Sequence, residues 1–178
     1  MATRQEYEQL KAFARIDGAL VTLLWTVSFA CFVGNFHNAM FGPGFFVFGA
    51  ASLVVASVRL KRYRDQVLDG FISYRRALLY SLFTYLYASL LFAMVQFLYF
   101  QFIDNGFLMT NYMAATESKD FQQMMQVYGV KPEDLRLAME NLASLRPIEI
   151  AMQFFSTNIM LGFFVSIPVA LITKRIKK

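Results

Sequence analysis

No Asp, Glu, Lys or Arg occurs between Asp17 and Arg59, a run of 41 residues. An apolar helix needs about 20 residues to cross a bilayer, so the run has room for two crossings. It cannot supply a solvated globular surface. The whole chain agrees, since 57% of its 178 residues are hydrophobic and only 16% are charged, where a soluble domain carries roughly 25% charged residues. The same figures exclude disorder, which requires a polar, highly charged chain. Two further charge-free windows, residues 77–103 and 150–173, bring the expected number of spans to four.

Turn residues divide the long window. Gly34-Asn35-Phe36-His37-Asn38 and Phe41-Gly42-Pro43-Gly44 form its punctuation, with Gly34 able to end a helix and Pro43-Gly44 suited to a type II turn. The reading is an all-α integral membrane protein with a single membrane domain over residues 1–178. Its spans lie at about 18–34, 45–60, 77–103 and 150–173, with a basic loop at 59–76 and an external helical segment at 104–149. That segment is patterned as two short helices separated at residues 129–132. Pro132 with Glu133 and Asp134 has the composition of a helix start. Leu135, Ala138, Met139, Leu142 and Leu145 give one apolar face; Met109, Tyr112, Met113, Phe121, Met124 and Met125 give another. The pair is expected to form a small lid.

Lys and Arg in short loops stay on the cytoplasmic side, so charge orients the chain. Loop 59–76 carries Arg59, Lys61, Arg62, Arg64, Arg75 and Arg76 against Asp65 and Asp69, and Lys174, Arg175, Lys177 and Lys178 follow the last span without an acid. Before the first span Arg4, Lys11 and Arg15 balance Glu6, Glu8 and Asp17. Segment 104–149 has Lys119, Lys131, Arg136 and Arg146 against Asp104, Glu117, Asp120, Glu133, Asp134, Glu140 and Glu149. Both termini are therefore expected inside and the acidic segment outside. A neutral amphipathic lead before the first apolar stretch argues against a cleaved signal peptide. The basic pI near 9.4 follows from residues at membrane edges, where anionic headgroups are the partners, and not from nucleic-acid binding.

Small residues recur at every fourth position in the first span (Gly18, Thr22, Thr26, Ala30, Gly34) and in the last (Gly162, Ser166, Ala170). Such stripes let helices approach closely, either within the bundle or in a homo-oligomer. Trp25 falls mid-span and reads as a packing residue, whereas Tyr74 and Tyr80 on one side and Tyr99, Phe100 and Phe102 on the other suit aromatic belts. Polar residues within the spans are few: Gln96, Gln153 and Asn158, with Gln96 and Asn158 at depths suited to hydrogen bonds across helices. No titratable group is expected in the core, which disfavours a proton-coupled pump. Pro168 predicts a kink and frees the carbonyl of Phe164 for Ser166 or another helix.

Chemistry has little to stand on. A lone Cys31 excludes an internal disulfide and any CxxC metal site within one chain, and a lone His37 removes most histidine-based sites. Five methionines in segment 104–149 invite copper(I), but no histidine or cysteine accompanies them, and Met also serves ordinary packing surfaces. No nucleophile–base pair, HExxH or phosphate-binding glycine loop is present. No metal or cofactor is expected.

The most distinctive stretch follows the second span: Tyr63-Arg64-Asp65, a short spacer, Gly70-Phe71-Ile72-Ser73-Tyr74, Arg75-Arg76 and Ala77 leading into an aromatic span. With Phe102-Ile103-Asp104, the Met-rich acidic segment and its GVKPEDL helix start, it resembles a family of small four-span membrane proteins common in Bacteroidota, catalogued as domain of unknown function 4199. The resemblance covers nearly the whole chain and is weak over the first span. It implies four spans in a bacterial inner membrane and no assigned chemistry. It further implies a partner, since family members are often encoded beside a glycosyltransferase that acts on polyprenyl phosphate. Arg75-Arg76 stand where relatives often carry less charge.

Read physically, the loop is an interfacial basic hairpin that turns at Gly70 and dips Phe71, Ile72 and Tyr74 into the headgroup boundary. Arg62, Arg64, Arg75 and Arg76 either anchor the topology or form a docking patch for a lipid phosphate or a cytosolic enzyme. The expected function is that of a non-enzymatic accessory or scaffold subunit for a membrane-associated partner. The alternative is a small oligomeric transporter or flippase for a lipid-linked substrate. A polar cavity at mid-depth would mark the transporter; a filled bundle would mark the accessory.

Overall fold

A computed structural model describes residues 4–176. Lys177 and Lys178 of the basic tail lie outside the described residues, as do the side chains of Asp120, Pro132 and Leu142. The chain is all helical: α1 Arg4–Asn35, α2 Gly42–Val67, α3 Tyr74–Phe102, α4 Phe107–Thr116, α5 Lys119–Val127, α6 Pro132–Ala143 and α7 Pro147–Thr173, with a short 3-10 turn at Ala39–Phe41. By length and composition α1, α2, α3 and α7 can each cross a membrane, which makes this a multi-pass membrane protein.

The helices outrun the charge-free windows. α1 covers Arg4–Asn35 and not 18–34, because the Arg, Gln, Glu, Leu, Lys and Ala of the lead are good helix formers and none breaks the ladder. α2 covers Gly42–Val67 and not 45–60. Pro43 lies in its first turn, where the missing N–H would be unpaired anyway, so Pro43-Gly44 opens a helix instead of making a type II turn. At the far end Asp69 and Gly70 take φ of 52° and 84°, and the Gly70 N–H donates to the Arg64 carbonyl at 3.0 Å. This left-handed closure ends α2 and reverses the chain.

Two compact units result, Met1–Met94 with Phe154–Lys178, and Val95–Gln153. In the first, α1 and α2 are antiparallel: Ser28 Oγ donates to the Phe45 carbonyl at 2.7 Å and Trp25 Nε1 to Ser52 Oγ at 3.0 Å. α1 and α3 run parallel. A Cβ at Gly18 would come within 2.8 Å of the Thr84 carbonyl oxygen, and Thr22 Oγ1 donates to the Ala88 carbonyl at 3.2 Å. Likewise α7 approaches α3 so closely that a Cβ at Gly162 would lie 2.6 Å from Tyr85 Cβ. Val21, Ala56, Tyr85 and Ala88 fill the middle together with Trp25, whose ring stacks on Tyr85. A larger core of Leu10, Ala14, Leu60, Tyr63, Ile72, Ala77, Tyr80, Val169 and Ala170 fills the end that carries the basic loop.

Several expectations are corrected in this unit. Asp17 and Tyr80 are buried, at 1% exposure each, so the interior does hold an ionisable acid and Tyr80 is no belt residue. Ile72 is also buried and does not dip into headgroups. Ser166 Oγ donates to the Gly162 carbonyl at 2.6 Å and not to that of Phe164. Asn158 Nδ2 is buried without a hydrogen-bond partner, and in the other unit so is Gln96 Oε1, where bonds across helices were expected. Depth along a span does not by itself make a hydrogen bond, which also needs the right helix face and rotamer.

In the Val95–Gln153 unit three short helices replace the two expected. Asp104 opens the segment by accepting from the N–H groups of Gly106 at 3.1 Å and Leu108 at 3.0 Å. Ser118 accounts for the additional helix: its hydroxyl accepts from the Phe121 N–H at 3.3 Å and caps α5, which splits the stretch before residue 129 in two. Arg136 pairs with Glu140 and Arg146 with Glu149, each at 2.8 Å and exposed. Donating to the Glu140 carboxylate raises the pKa of the Arg136 guanidinium above its ordinary value, as donating to Glu149 does for Arg146.

Candidate functional site

Helical spacing brings the polar residues of the basic end together. On α2, Arg59, Arg62, Tyr63 and Gln66 stand at i, i+3, i+4 and i+7, one face of the helix, while Phe13 and Asp17 stand four apart on α1. With Tyr80 of α3 these side chains line a cavity of about 170 Å³.

Asp17 is its fixed point. Arg59 Nε donates to Asp17 Oδ1 at 2.5 Å, and Tyr80 Oη donates to Asp17 Oδ2. A carboxylate inside a span is costly unless it is paired and hydrogen-bonded, and here both oxygens are engaged. The Arg59 side chain remains 24% exposed. Tyr80 in turn stacks on Tyr63, ring centroids 4.6 Å apart. The triad is not legible in the sequence, where Asp17 and Arg59 read as the edges of a charge-free window. The signal available was the spacing of Arg59, Arg62 and Gln66 on one helical face.

The four arginines singled out from sequence divide into two kinds. Arg64 is engaged: Nη1 donates to the Thr173 carbonyl at 2.9 Å, while Nε and Nη2 grip Asp65 at 2.7 and 3.0 Å. Arg76 reaches Glu6 and the Tyr63 hydroxyl, both at 3.5 Å. Arg62 and Arg75 are exposed and have no hydrogen-bond or ion-pair partner among the described residues. Arg62 lines the first cavity and Arg75 a second. That second depression, about 500 Å³, is walled by Glu6, Tyr7, Leu10, Ser73, Arg75, Arg76 and Leu79.

The loop that carries these residues is anchored to the tail. Ile72 and Arg175 form an antiparallel bridge, with N–H to carbonyl distances of 2.9 and 3.0 Å, and the Arg175 guanidinium lies 6.0 Å from the Phe71 ring centre. Small-residue positions differ along the stripes. Gly18 and Thr22 abut α3, Thr26 Oγ1 bonds the Thr22 carbonyl at 2.8 Å, Ala30 is exposed and Gly34 faces Phe41. In α7, Gly162 meets Tyr85, and Ser166 and Ala170 are fully buried.

A family model described as "Protein of unknown function (DUF4199)" matches residues 17–175. No curated protein and no solved structure matches. The chain belongs to that family, as the resemblance of its loop and acidic segment implied.

Proposed function

We propose that this member of the family is a non-enzymatic accessory or scaffold protein of the bacterial inner membrane, with both termini cytoplasmic, that docks phosphate-bearing partners at its basic end. The observation that carries the reading is the pair Arg62 and Arg75, exposed and without an ion-pair or hydrogen-bond partner among the described residues, while their neighbours Arg64 and Arg76 hold the fold. Anionic headgroups are one class of partner, at about 1 kcal/mol per basic residue near the surface. A membrane-associated enzyme is the other, and a glycosyltransferase acting on polyprenyl phosphate is the one the family resemblance implies. Co-purification of native protein should recover a partner that the Arg62→Ala/Arg75→Ala double variant loses. Equal recovery by both ends the docking reading. Orientation has its own test: in intact cells Ser118→Cys should label from outside and Ser73→Cys should not.

The transporter reading draws on a different observation. Tyr85 Oη, Ser89 Oγ and Asn158 Nδ2 are buried in the spans without hydrogen-bond partners among the described residues, as groups facing a substrate or internal water would be. Against it, Trp25, Val21, Ala56 and Ala88 fill the bundle around Tyr85. Proteoliposomes carrying the protein should leave a fluorescent lipid-linked sugar where it was added. Movement that a Ser89→Ala/Asn158→Leu variant abolishes would favour the transporter.

A further inference from the structure

The cavity between α1, α2 and α3 holds more hydrogen-bond donors than its own acceptors can use. Asp17 has both oxygens engaged, one by Arg59 Nε and one by Tyr80. Arg59 therefore meets its counter-charge through Nε alone, and its two terminal amino groups have no partner among the described residues. One turn further along the same face Arg62 adds a second guanidinium, also unpartnered, and Gln66 a side-chain amide. The Tyr63 hydroxyl, the remaining polar atom of the wall, already accepts from Arg76 at 3.5 Å. Two cations against one carboxylate leave the cavity net positive. Guanidinium N–H groups that no protein acceptor takes suit an oxyanion best, through paired charge-assisted N–H···O bonds.

We propose that this cavity binds a phosphate-sized oxyanion, held by Arg59, Arg62 and Gln66. Asp17 and Tyr80 are positioning residues, which fix Arg59 by its Nε and leave its terminal amino groups for the ligand. Size limits the ligand to a group, since about 170 Å³ is well below the roughly 300 Å³ at which pockets for whole drug-sized molecules begin. A phosphate at the end of a lipid and free inorganic phosphate meet that requirement equally. The inference deepens the docking reading, resting on it for Arg62, and adds an interior site that surface docking does not need.

The test uses full-length protein in phosphatidylcholine nanodiscs, with and without phosphatidic acid, titrated with inorganic phosphate and followed by phosphorus NMR and calorimetry. Saturable binding of inorganic phosphate in phosphatidylcholine alone identifies a soluble ligand. Saturable binding confined to phosphatidic acid identifies a headgroup. In either arm Arg62→Gln and Arg59→Lys should weaken binding about tenfold or more, as losing charge-assisted bonds does. Arg62 is exposed, so its variant keeps the fold; Arg59→Lys keeps the charge opposite Asp17. Arg136→Gln, in the other unit, should bind as wild type does. The proposal is overturned if Arg136→Gln weakens binding as much as Arg62→Gln, or if neither probe saturates. Partner recovery is a separate readout: a protein that binds phosphate through Arg59 and Arg62 but recovers no partner fails the docking reading and keeps the site, and one that recovers its partner without binding phosphate fails the site alone.

Discussion

In the unit of Met1–Met94 and Phe154–Lys178, two ion pairs join helices far apart in sequence, Asp17 to Arg59 and Glu6 to Arg76, beside the local pair of Arg64 with Asp65, and the first is sealed from solvent on its acidic side. In the Val95–Gln153 unit Arg136 pairs with Glu140 and Arg146 with Glu149, within about one turn and exposed. The contrast teaches what a charge does at each depth. A buried pair decides which helices meet, because leaving either member alone is costly; an exposed local pair decides nothing beyond its own turn.

Breaking the buried pair should give the largest effect. Arg59→Ala strands the Asp17 carboxylate and should destabilise the detergent-solubilised protein by about 3–5 kcal/mol. An Asp17→Leu/Arg59→Met variant should recover much of that loss, and its melting temperature checks it. Next comes close packing in the same unit: Gly162→Leu drives a side chain into Tyr85, at a cost of about 1–3 kcal/mol. An unchanged melt would mean that α7 can shift away from α3. A smaller change is expected where the second unit relies on local capping. Asp104→Ala should cost about 1 kcal/mol and raise amide exchange in α4 while leaving α1 to α3 protected. Smallest of all, Arg136→Ala should leave stability and exchange unchanged within error. Should it destabilise the chain as Arg59→Ala does, the contrast between the units fails.

Legibility in sequence followed the same division. The four spans were visible because lipid forbids charge over about 20 residues, and α6 was visible because Pro132, Glu133 and Asp134 mark a start locally. Ser118 is hard to read as a start, because Glu117 and Lys119 beside it suit a helix on either side. Asp17 was misread for a deeper reason. A charge at the edge of an apolar window looks solvated, and only the packing of α1 on α2 and α3 brings Arg59 and Tyr80 to it. Of the four arginines named in advance, sequence could not say that Arg64 would reach the Thr173 carbonyl, a partner 109 positions away.

The position of that interior pair also has a bearing on synthesis. Asp17 and Arg59 lie on α1 and α2, which are made before α3, so an acid that lipid would resist is matched as soon as the α1–α2 hairpin forms, before Tyr80 leaves the ribosome. The pair thus suits insertion of the first two helices as one hairpin, with α3 and α7 docking afterwards onto a neutralised surface. An arrest peptide placed to report on emergence of Arg59 should register a pulling-force peak that Arg59→Ala removes.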